Sequence, residues 1–424
     1  MSFAILGLCD ELLQTVAEQG YTTPSQIQTE AIPVVLNQRD VMAVAHTGTG
    51  KTAGFTLPMV QLLSGGDSPQ PCTVRALVIT PTRELAAQVA ESVQTYGSMM
   101  NIRTGAAFGG VRIEPQIAKL QAGLDVLVAT PGRLLDLYNQ QAVSFDALKI
   151  LVLDEADRML DLGFIDDIRH IQTLLPAKRQ TLMFSATFSE EIKSLAGGML
   201  HDPVLIEVDT DKNIVDSIKQ KMHPVDQERK SALLIHLIKK YNWQQLLVFS
   251  RTKRGADTLV TQLKEAGINA ESIHANRTQY ARTRALDGFK NGSVVVLVAT
   301  DIASRGIDVH QLPCVINFDL PYVAEDYVHR IGRTGRAGTS GLAVSFFSED
   351  EAQQLASIEK LIGRKFERDI VQGFAPSKKP AVVLSDEDEE YGNFEPDPPR
   401  RKGKSKGQAG KPAKTKRKHW KEYL

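Results

Sequence analysis

The sequence predicts an α/β protein made of two tandem parallel-sheet units and a disordered C-terminal tail. Three observations carry that expectation. Short Val/Leu/Ile-rich runs alternate with helical patterns, which is the mark of βαβ units and a mostly parallel sheet. Two of these runs recur at one spacing. Leu77–Thr80 is echoed by Leu247–Ser250, and Val126–Thr130 returns unchanged as Val296–Thr300, both 170 positions later by subtraction. Beyond Phe374 the composition changes: Ser385–Asp397 is acidic, and 398–424 is rich in Pro, Gly and Lys. Such a stretch buries too little apolar surface to offset chain entropy.

In chain order, Asp40–Ala45 reads as a strand, followed by a glycine-rich loop and a helix from Lys51. Ala76–Thr80 reads as the next strand and Arg83–Tyr96 as a helix. Asp125–Ala129, Ile150–Leu153 and Gln180–Phe184 are further strands. Parallel strands buried on both faces read as continuous apolar runs, as these do. The repeat of strands at one offset implies two copies of one fold. Nothing early in the second copy resembles Gly48–Thr52, so one phosphate-binding loop is expected, held by the first unit and facing the second. The expected boundaries are 1–205 and 220–370 for the units, 206–219 for a charged linker, and 371–424 for the tail.

With 424 residues, of which 42% are hydrophobic, the chain has ample core for two units. Cys9, Cys72 and Cys314 are scattered without a C-x-x-C pair, which argues against a disulfide framework or a zinc site and for a reducing compartment. No signal peptide or membrane-length apolar run is read, so a cytoplasmic protein without membrane contact is expected. The formal net charge is zero, but residues 400–424 hold eleven Lys/Arg and one Glu. Removing these from totals of 50 and 50 leaves 39 basic against 49 acidic residues, so the body is acidic and the tail basic.

The stretch Lys149–Asp157, K-I-L-V-L-D-E-A-D, organises the rest. Its apolar run is a buried strand, and Asp154 and Glu155 follow where that strand ends. Ligands of open α/β sheets bind beyond the carboxyl ends of strands. Two adjacent buried carboxylates need a cation or a reacting water. Phosphoryl transfer uses one carboxylate for Mg²⁺ and one to orient the attacking water. Upstream, Ala45-His46-Thr47-Gly48-Thr49-Gly50-Lys51-Thr52 lies between a strand and a helix. Glycines let backbone N–H groups face phosphate oxygens, and the helix N-terminus adds positive potential. Lys51 would reach the β/γ-phosphates and Thr52 the metal. Gln28 offers both a donor and an acceptor to an adenine edge, and Tyr21 an aromatic face.

Together these residues resemble the DEAD-box RNA helicases of superfamily two, over about residues 1–370 and with the motifs in family order. The likeness is greatest to the bacterial RhlE-like subgroup, from Met1-Ser2-Phe3 and Phe164–Arg169. The resemblance implies two RecA-like domains, ATP and Mg²⁺ as cofactors, RNA as partner and a monomeric core. It also implies ribosomal precursors or the RNA decay machinery as the cellular setting. Gly20–Gln28 is similar to the adenine-reading Q motif, with Phe3 as its upstream aromatic. Ala45–Thr52 is motif I, with His46 where Gln is usual; Asp154–Asp157 is motif II, and Ser185-Ala186-Thr187 motif III. Pro81, Thr82, Arg83, Gly109, Gly110, Thr130 and Arg133 fall in the family's RNA-contacting motifs of the first domain. Arg251, Gln279, Arg282, Thr300, Asp301 and Arg305 do so in the second, where Ala275-Asn276 departs from the familiar His-Gly-Asn. Gly306 and Asp308 are placed by resemblance near the nucleotide. Arg333 and Arg336 lie in motif VI and, with Lys51, Asp154 and Glu155, form the implied catalytic set. Asp157, Ser185, Thr187 and His329 are implied to couple the domains.

From the residues, Arg333 and Arg336 at i, i+3 can meet one phosphate. Because they lie in the second unit, hydrolysis should require closure of the two lobes. Hydroxyls, backbone N–H groups and single arginines suit backbone contact, so sequence specificity should be low. The expected activity is local, non-processive, ATP-driven unwinding of short RNA duplexes or remodelling of RNA–protein complexes. An ATP-gated RNA clamp or annealing chaperone is the alternative, and a DNA translocase a third.

Overall fold

The computed structural model describes residues 2–45, 48–66, 68–208, 218–304, 312–335 and 341–377. The first unit holds β1 (Val41–Val44), β2 (Val74–Ile79), β3 (Thr104–Ala107), β4 (Leu124–Ala129), β5 (Ile150–Leu153), β6 (Gln180–Ser185) and β7 (Val204–Glu207). They form one sheet in the order β3-β4-β2-β5-β6-β1-β7. The second unit holds β8 (Lys219–Pro224), β9 (Leu246–Phe249), β10 (Ala270–Ile273), β11 (Val296–Ala299), β12 (Cys314–Asn317) and β13 (Leu342–Phe347), in the order β10-β11-β9-β12-β13-β8. The strand pairs are parallel in both sheets, as the apolar runs predict.

Counted from each unit's own first strand, both sheets read 3-4-2-5-6-1, and β7 is an extra edge on the first. The expected duplication is therefore present in the topology. The offset of 170 also survives across the ladder: Leu77 pairs with Leu127, and Leu247 pairs with Leu297. Alternate side chains leave opposite faces of each strand. Val41, Ala43, Val78 and Val152 enter one apolar layer of the first unit, and Met42, Leu77, Ile79 and Leu153 the other.

The helices that carry functional residues start at the carboxyl ends of strands. Lys51–Leu63 follows β1, and Arg83–Tyr96 follows β2. Lys253–Glu265 follows β9 as the counterpart of Arg83–Tyr96. Thr82 and Thr252, 170 apart, cap these two helices alike: each hydroxyl accepts a backbone N–H, from Leu85 at 3.3 Å and from Gly255 at 2.9 Å.

Both expected boundaries shift. Ile206 and Glu207 pair with Ala43 and Val44, and the N–H of Val208 donates to the Val44 carbonyl at 3.0 Å, so the first unit runs past 205. The exposed edge of β1 needs a partner, and this segment supplies it. Lys219 already belongs to β8, and residues 209–217 of the expected linker lie outside the described residues. At the other end, the Asp369 N–H donates to Met222, and Val371 and Phe374 pack on the second core. Ser377 is bonded to Asp226 through its N–H at 3.0 Å and its hydroxyl at 2.8 Å. The second unit therefore reaches Ser377, and 378–424 lies outside the described residues. Among the described residues no helix is long and apolar enough to cross a membrane.

Lys230 is fully buried in the second unit. Its ammonium lies 2.5 Å from Glu351 Oε2 and 3.4 Å from Asp319 Oδ1. Burial alone would push the Asp319 carboxyl up, but Lys230 and Arg251 hold it below the usual range. Lys230→Met removes the central cation and leaves two buried carboxylates under-compensated. Urea unfolding of the second unit should show a loss of about 3–5 kcal/mol; an unchanged midpoint would remove the ion cluster as a stabilising element.

Candidate functional site

The glycine loop closes on itself through Gln28. The Gln28 Nε2 donates to the Gly50 carbonyl at 3.1 Å, and its Oε1 accepts the Ser25 N–H at 2.9 Å. Gly50 sits at φ 93°, and a Cβ there would come 2.4 Å from Gln28 Nε2, so this position requires glycine. Gln28 thus braces the loop and the start of helix Gln26–Leu36 at once. Lys51 opens the next helix and is buried, and its Nζ has no hydrogen-bond partner.

Opposite it, Asp154 follows β5 and is 2% exposed, with Oδ1 unpartnered. Burial pushes its carboxyl up to about 7, the Glu155 charge adds to that, and Lys51 opposes it. Glu155 has φ 54° and ψ 54°, a left-handed conformation uncommon for a residue with a side chain. Strain of this kind persists where the surroundings over-determine it, often at sites of function. A buried ammonium and a buried carboxylate oxygen, both unsatisfied beside a glycine loop, are the groups that a phosphate and a divalent cation require. The residues present fit both.

The end of β6 ties these parts together. The Ala45 N–H donates to the Ser185 carbonyl at 2.9 Å, and the Ala186 N–H donates to Asp157 Oδ2 at 3.2 Å. The Thr187 N–H donates to Ser185 Oγ at 3.3 Å. The glycine loop, the D-E-A-D turn and Ser185–Thr187 are one bonded unit, so a shift in one is felt by the others.

A second depression, of about 490 Å³, gathers Pro81, Thr82, Arg83, Gly109, Thr130 and Arg133 with Arg282 of the second unit. Gly110 has φ 76°, and a Cβ there would stand 1.9 Å from Arg83 Nη1, so the guanidinium lies in the space that only glycine leaves. Arg133 donates to the Val111 carbonyl and to Gln116 Oε1, each at 3.1 Å, and Gln116 donates to the Phe108 carbonyl at 3.2 Å. Gln116 thereby clamps both sides of the glycine pair. The sequence reading did not single it out, and no local pattern marks it.

In the second unit the expected residues divide. Gln279 and Arg282 grip Glu84 of the first unit: Gln279 Nε2 lies 3.2 Å from Glu84 Oε1, and Arg282 Nη2 lies 2.8 Å from Oε2. Both charged side chains are at least 90% buried. Both were expected on the RNA path; here they bridge the sheets through Glu84, for which no bridging role was expected, and Arg282 also lines the depression. Arg251, also expected on RNA, turns inward to Glu351, with its guanidinium 4.7 Å from the centre of the Tyr322 ring. The two buried acids of its own unit attract it more strongly than open solvent does. Asp301 meets Arg330 bidentately at 2.6 and 2.7 Å, so Arg330, which is 2% exposed, fastens the stretch after β11 to helix Ala324–Ile331. Its buried position in a helix was not foreseen. Thr300, just after β11, is buried, as is Arg333, and His329 lies 4.0 Å from Asp326.

Phe3 also departs from expectation. It is 5% exposed and packs with Leu6, Leu8 and Leu12 in the first core, where it presents no free face to a base. Tyr21 is half-exposed. His46, Thr47, Arg305, Gly306, Asp308 and Arg336 lie outside the described residues.

The family described as DEAD/DEAH box helicase matches residues 25–195, and the helicase conserved C-terminal domain matches residues 229–338. The chain is 41% identical over 367 residues to the DEAD-box ATP-dependent RNA helicase CshA of Geobacillus kaustophilus, covering 87% of this chain and 78% of that protein. It is similar to S. cerevisiae Dbp5 bound to RNA and ADP BeF3, with TM-score 0.78 and 33% identity over 88% of this chain and 95% of that one. Against a Dbp5 variant bound to Nup159, a Gle1 variant, IP6 and ADP, with 31% identity over 88% and 96%, the TM-score is 0.61.

The raised Asp154 carboxyl makes a prediction for the ligand-free protein. Its folded pKa of about 7 exceeds the ordinary 3.8, so the folded state holds a proton that the unfolded state has lost in that window. The resulting stabilisation is lost as pH rises through about 7. Melting temperature should fall from pH 5.5 to 8 more steeply in the native chain than in Asp154→Asn; parallel profiles would contradict the buried, unpaired carboxylate.

Proposed function

Since the chain belongs to the DEAD-box family of ATP-dependent RNA helicases, we propose that its two sheets form one composite engine, with ATP gripped by the first and completed by the second. The chain is an ATP-hydrolysing RNA helicase, and ATP-driven unwinding or remodelling of RNA is its activity. The observation that carries the composite reading is the unsatisfied Lys51–Asp154 pair in one unit, with Glu84 of that unit held by Gln279 and Arg282 of the other. The likeness to Dbp5 bound to RNA and ADP BeF3 supports a site that holds nucleotide and RNA together.

In this reading Lys51 binds the β/γ-phosphates, and Gln28 holds the loop that cradles them. Mg²⁺ bound near Thr52 and Asp154 would neutralise phosphate charge. Glu155 orients the attacking water or accepts its proton. Arg333, with Arg336, stabilises charge on the transferring group and comes from the second unit. Adenine reading by Gln28 needs rearrangement of its amide, since both ends are occupied; Tyr21 supplies the open aromatic face.

RNA lies along the depression formed by Thr82, Arg83, Gly109, Gly110, Thr130 and Arg133. The helix N-termini capped by Thr82 and Thr252 aim backbone N–H groups at phosphates from equivalent points of the duplicated folds. These groups read backbone and not base edges. Within the family, Met1-Ser2-Phe3 and Phe164–Arg169 support an RhlE-like assignment.

RNA-stimulated ATP turnover and release of a short RNA duplex test this reading. Lys51→Ala should lose ATP binding or turnover. Glu155→Gln should still bind ATP and RNA but turn over about 10²–10⁴-fold more slowly, accumulating a closed complex. Normal turnover in either variant would remove the assigned roles. Gly110→Ala should dislodge Arg83 and weaken RNA affinity by about tenfold, the value of one charge-assisted hydrogen bond. Unchanged RNA affinity would take Arg83 off the path.

A further inference from the structure

A cavity of about 520 Å³ opens at the amino ends of β5 and β6, the pole of the first sheet opposite the nucleotide residues. Four residues of β5 separate it from Asp154, about 13 Å along the strand. Leu62, Leu63 and Ile150 supply apolar lining, and Lys149, Lys178 and Arg179 supply positive charge. No carboxylate lines it. That is unusual on a body that is acidic outside its last 25 residues. Two polar atoms in its wall are buried without partners. Gln180 is 8% exposed and spends its Nε2 on the Val35 and Arg39 carbonyls, but its Oε1 has no partner. Arg179 Nε is likewise shielded and unpaired, although its Nη1 reaches the Pro176 carbonyl at 2.7 Å. Burial draws the Arg179 guanidinium below its usual range, with Asp40 opposing. One buried unpaired guanidinium N–H and two exposed ammonium groups beside an apolar lining suit a ligand that carries carboxylates next to apolar groups, and Gln180 Oε1 is left to accept a backbone N–H from it.

The chain contains such a segment. Residues 386–397 hold seven carboxylates, with Tyr391 and Phe394 three apart among them and Val383-Leu384 just before. The described chain ends at Ser377, anchored on Asp226. Nine to seventeen residues on, positions 386–394 can reach about 30–60 Å when extended, a span comparable with the roughly 40 Å width of a 200-residue domain. We propose that this cavity is the docking site of the chain's own segment 383–397. The carboxylates of the segment meet Lys149, Lys178 and Arg179, and its aromatic pair covers Leu62, Leu63 and Ile150. Docked there, the acidic run is kept from the eleven basic residues of 400–424, which stay available to phosphates.

Two measurements test this. In the full-length protein, zero-length carbodiimide coupling followed by peptide mapping should join Lys149 and Lys178 to 386–397. Coupling of that run only to lysines of 402–421 would overturn the proposal. Separately, a fluorescent peptide of residues 383–397 should bind protein lacking 385–397. Lys149→Ser with Lys178→Ser, both exposed positions, should weaken it at least tenfold. A peptide carrying Tyr391→Ser and Phe394→Ser should lose affinity to a similar degree, which tests the apolar half without altering the protein. Absence of binding, binding indifferent to the lysine changes, or displacement of the peptide by RNA, which would seat it in the Arg83 groove, would each refute the assignment.

Discussion

One carboxylate, Glu84, joins the two sheets. It leaves the first turn of helix Arg83–Tyr96 and is held by Gln279 and Arg282, which rise from the other unit at the start of helix Gln279–Lys290. Its neighbour Arg83 lies against Gly110 in the depression assigned to RNA. A residue lining the depression proposed for RNA and a residue bonded across the two units are thus consecutive in the chain. Both charges of the lock are buried, so breaking it strands a carboxylate away from water, at a cost of several kcal/mol. The contact therefore behaves as a latch that is either made or open.

The latch matters because the chemistry is divided. In the proposed mechanism Lys51, Asp154 and Glu155 belong to the first unit and Arg333 to the second. In the first unit, Gln28, Ser185 and Asp157 bind the glycine loop, the acidic turn and the end of β6 into one body. In the second, Arg330 ties Asp301 to helix Ala324–Ile331, and Lys230 with Glu351 and Asp319 stiffens the ends of β9 and β12. What changes through a cycle, in this reading, is the contact between the two units. Duplication suits such a device, because the loops after β2 and β9 carry the same capped helix starts, which in the proposed function face one strand of RNA.

Much of this was legible in the sequence because it is local. Ile150–Leu153 and helix Arg83–Tyr96 fall where the apolar run and the helical pattern place them. The 170-residue echo survives as matched pairing of Leu77–Leu127 and Leu247–Leu297. The glycine loop and the D-E pair lie at the carboxyl ends of β1 and β5, where the strand pattern placed them. What was missed depends on partners far along the chain. Glu84 finds residues 195 and 198 positions away, Arg330 is defined by Asp301, and Gln116 matters only through Arg133 and Phe108. Phe3 and Arg251 turn inward for the same reason: the core under the 3₁₀ turn Phe3–Leu6 and the buried Glu351 hold them, and neither attraction is written beside them. The boundaries slipped because β7 and residues 371–377 are held by pairing and packing and not by an apolar period of their own.

A double-mutant cycle at the latch tests the account most directly. RNA-stimulated ATP turnover is measured for Glu84→Gln, Arg282→Gln and the pair, with ATP affinity as the control. The account predicts that each single change lowers RNA-stimulated turnover while ATP affinity holds, and that the double change is little worse than the more severe single one, a coupling of about 0.5–3 kcal/mol. Independent, additive losses, or turnover that ignores both changes, would contradict a composite site assembled through Glu84.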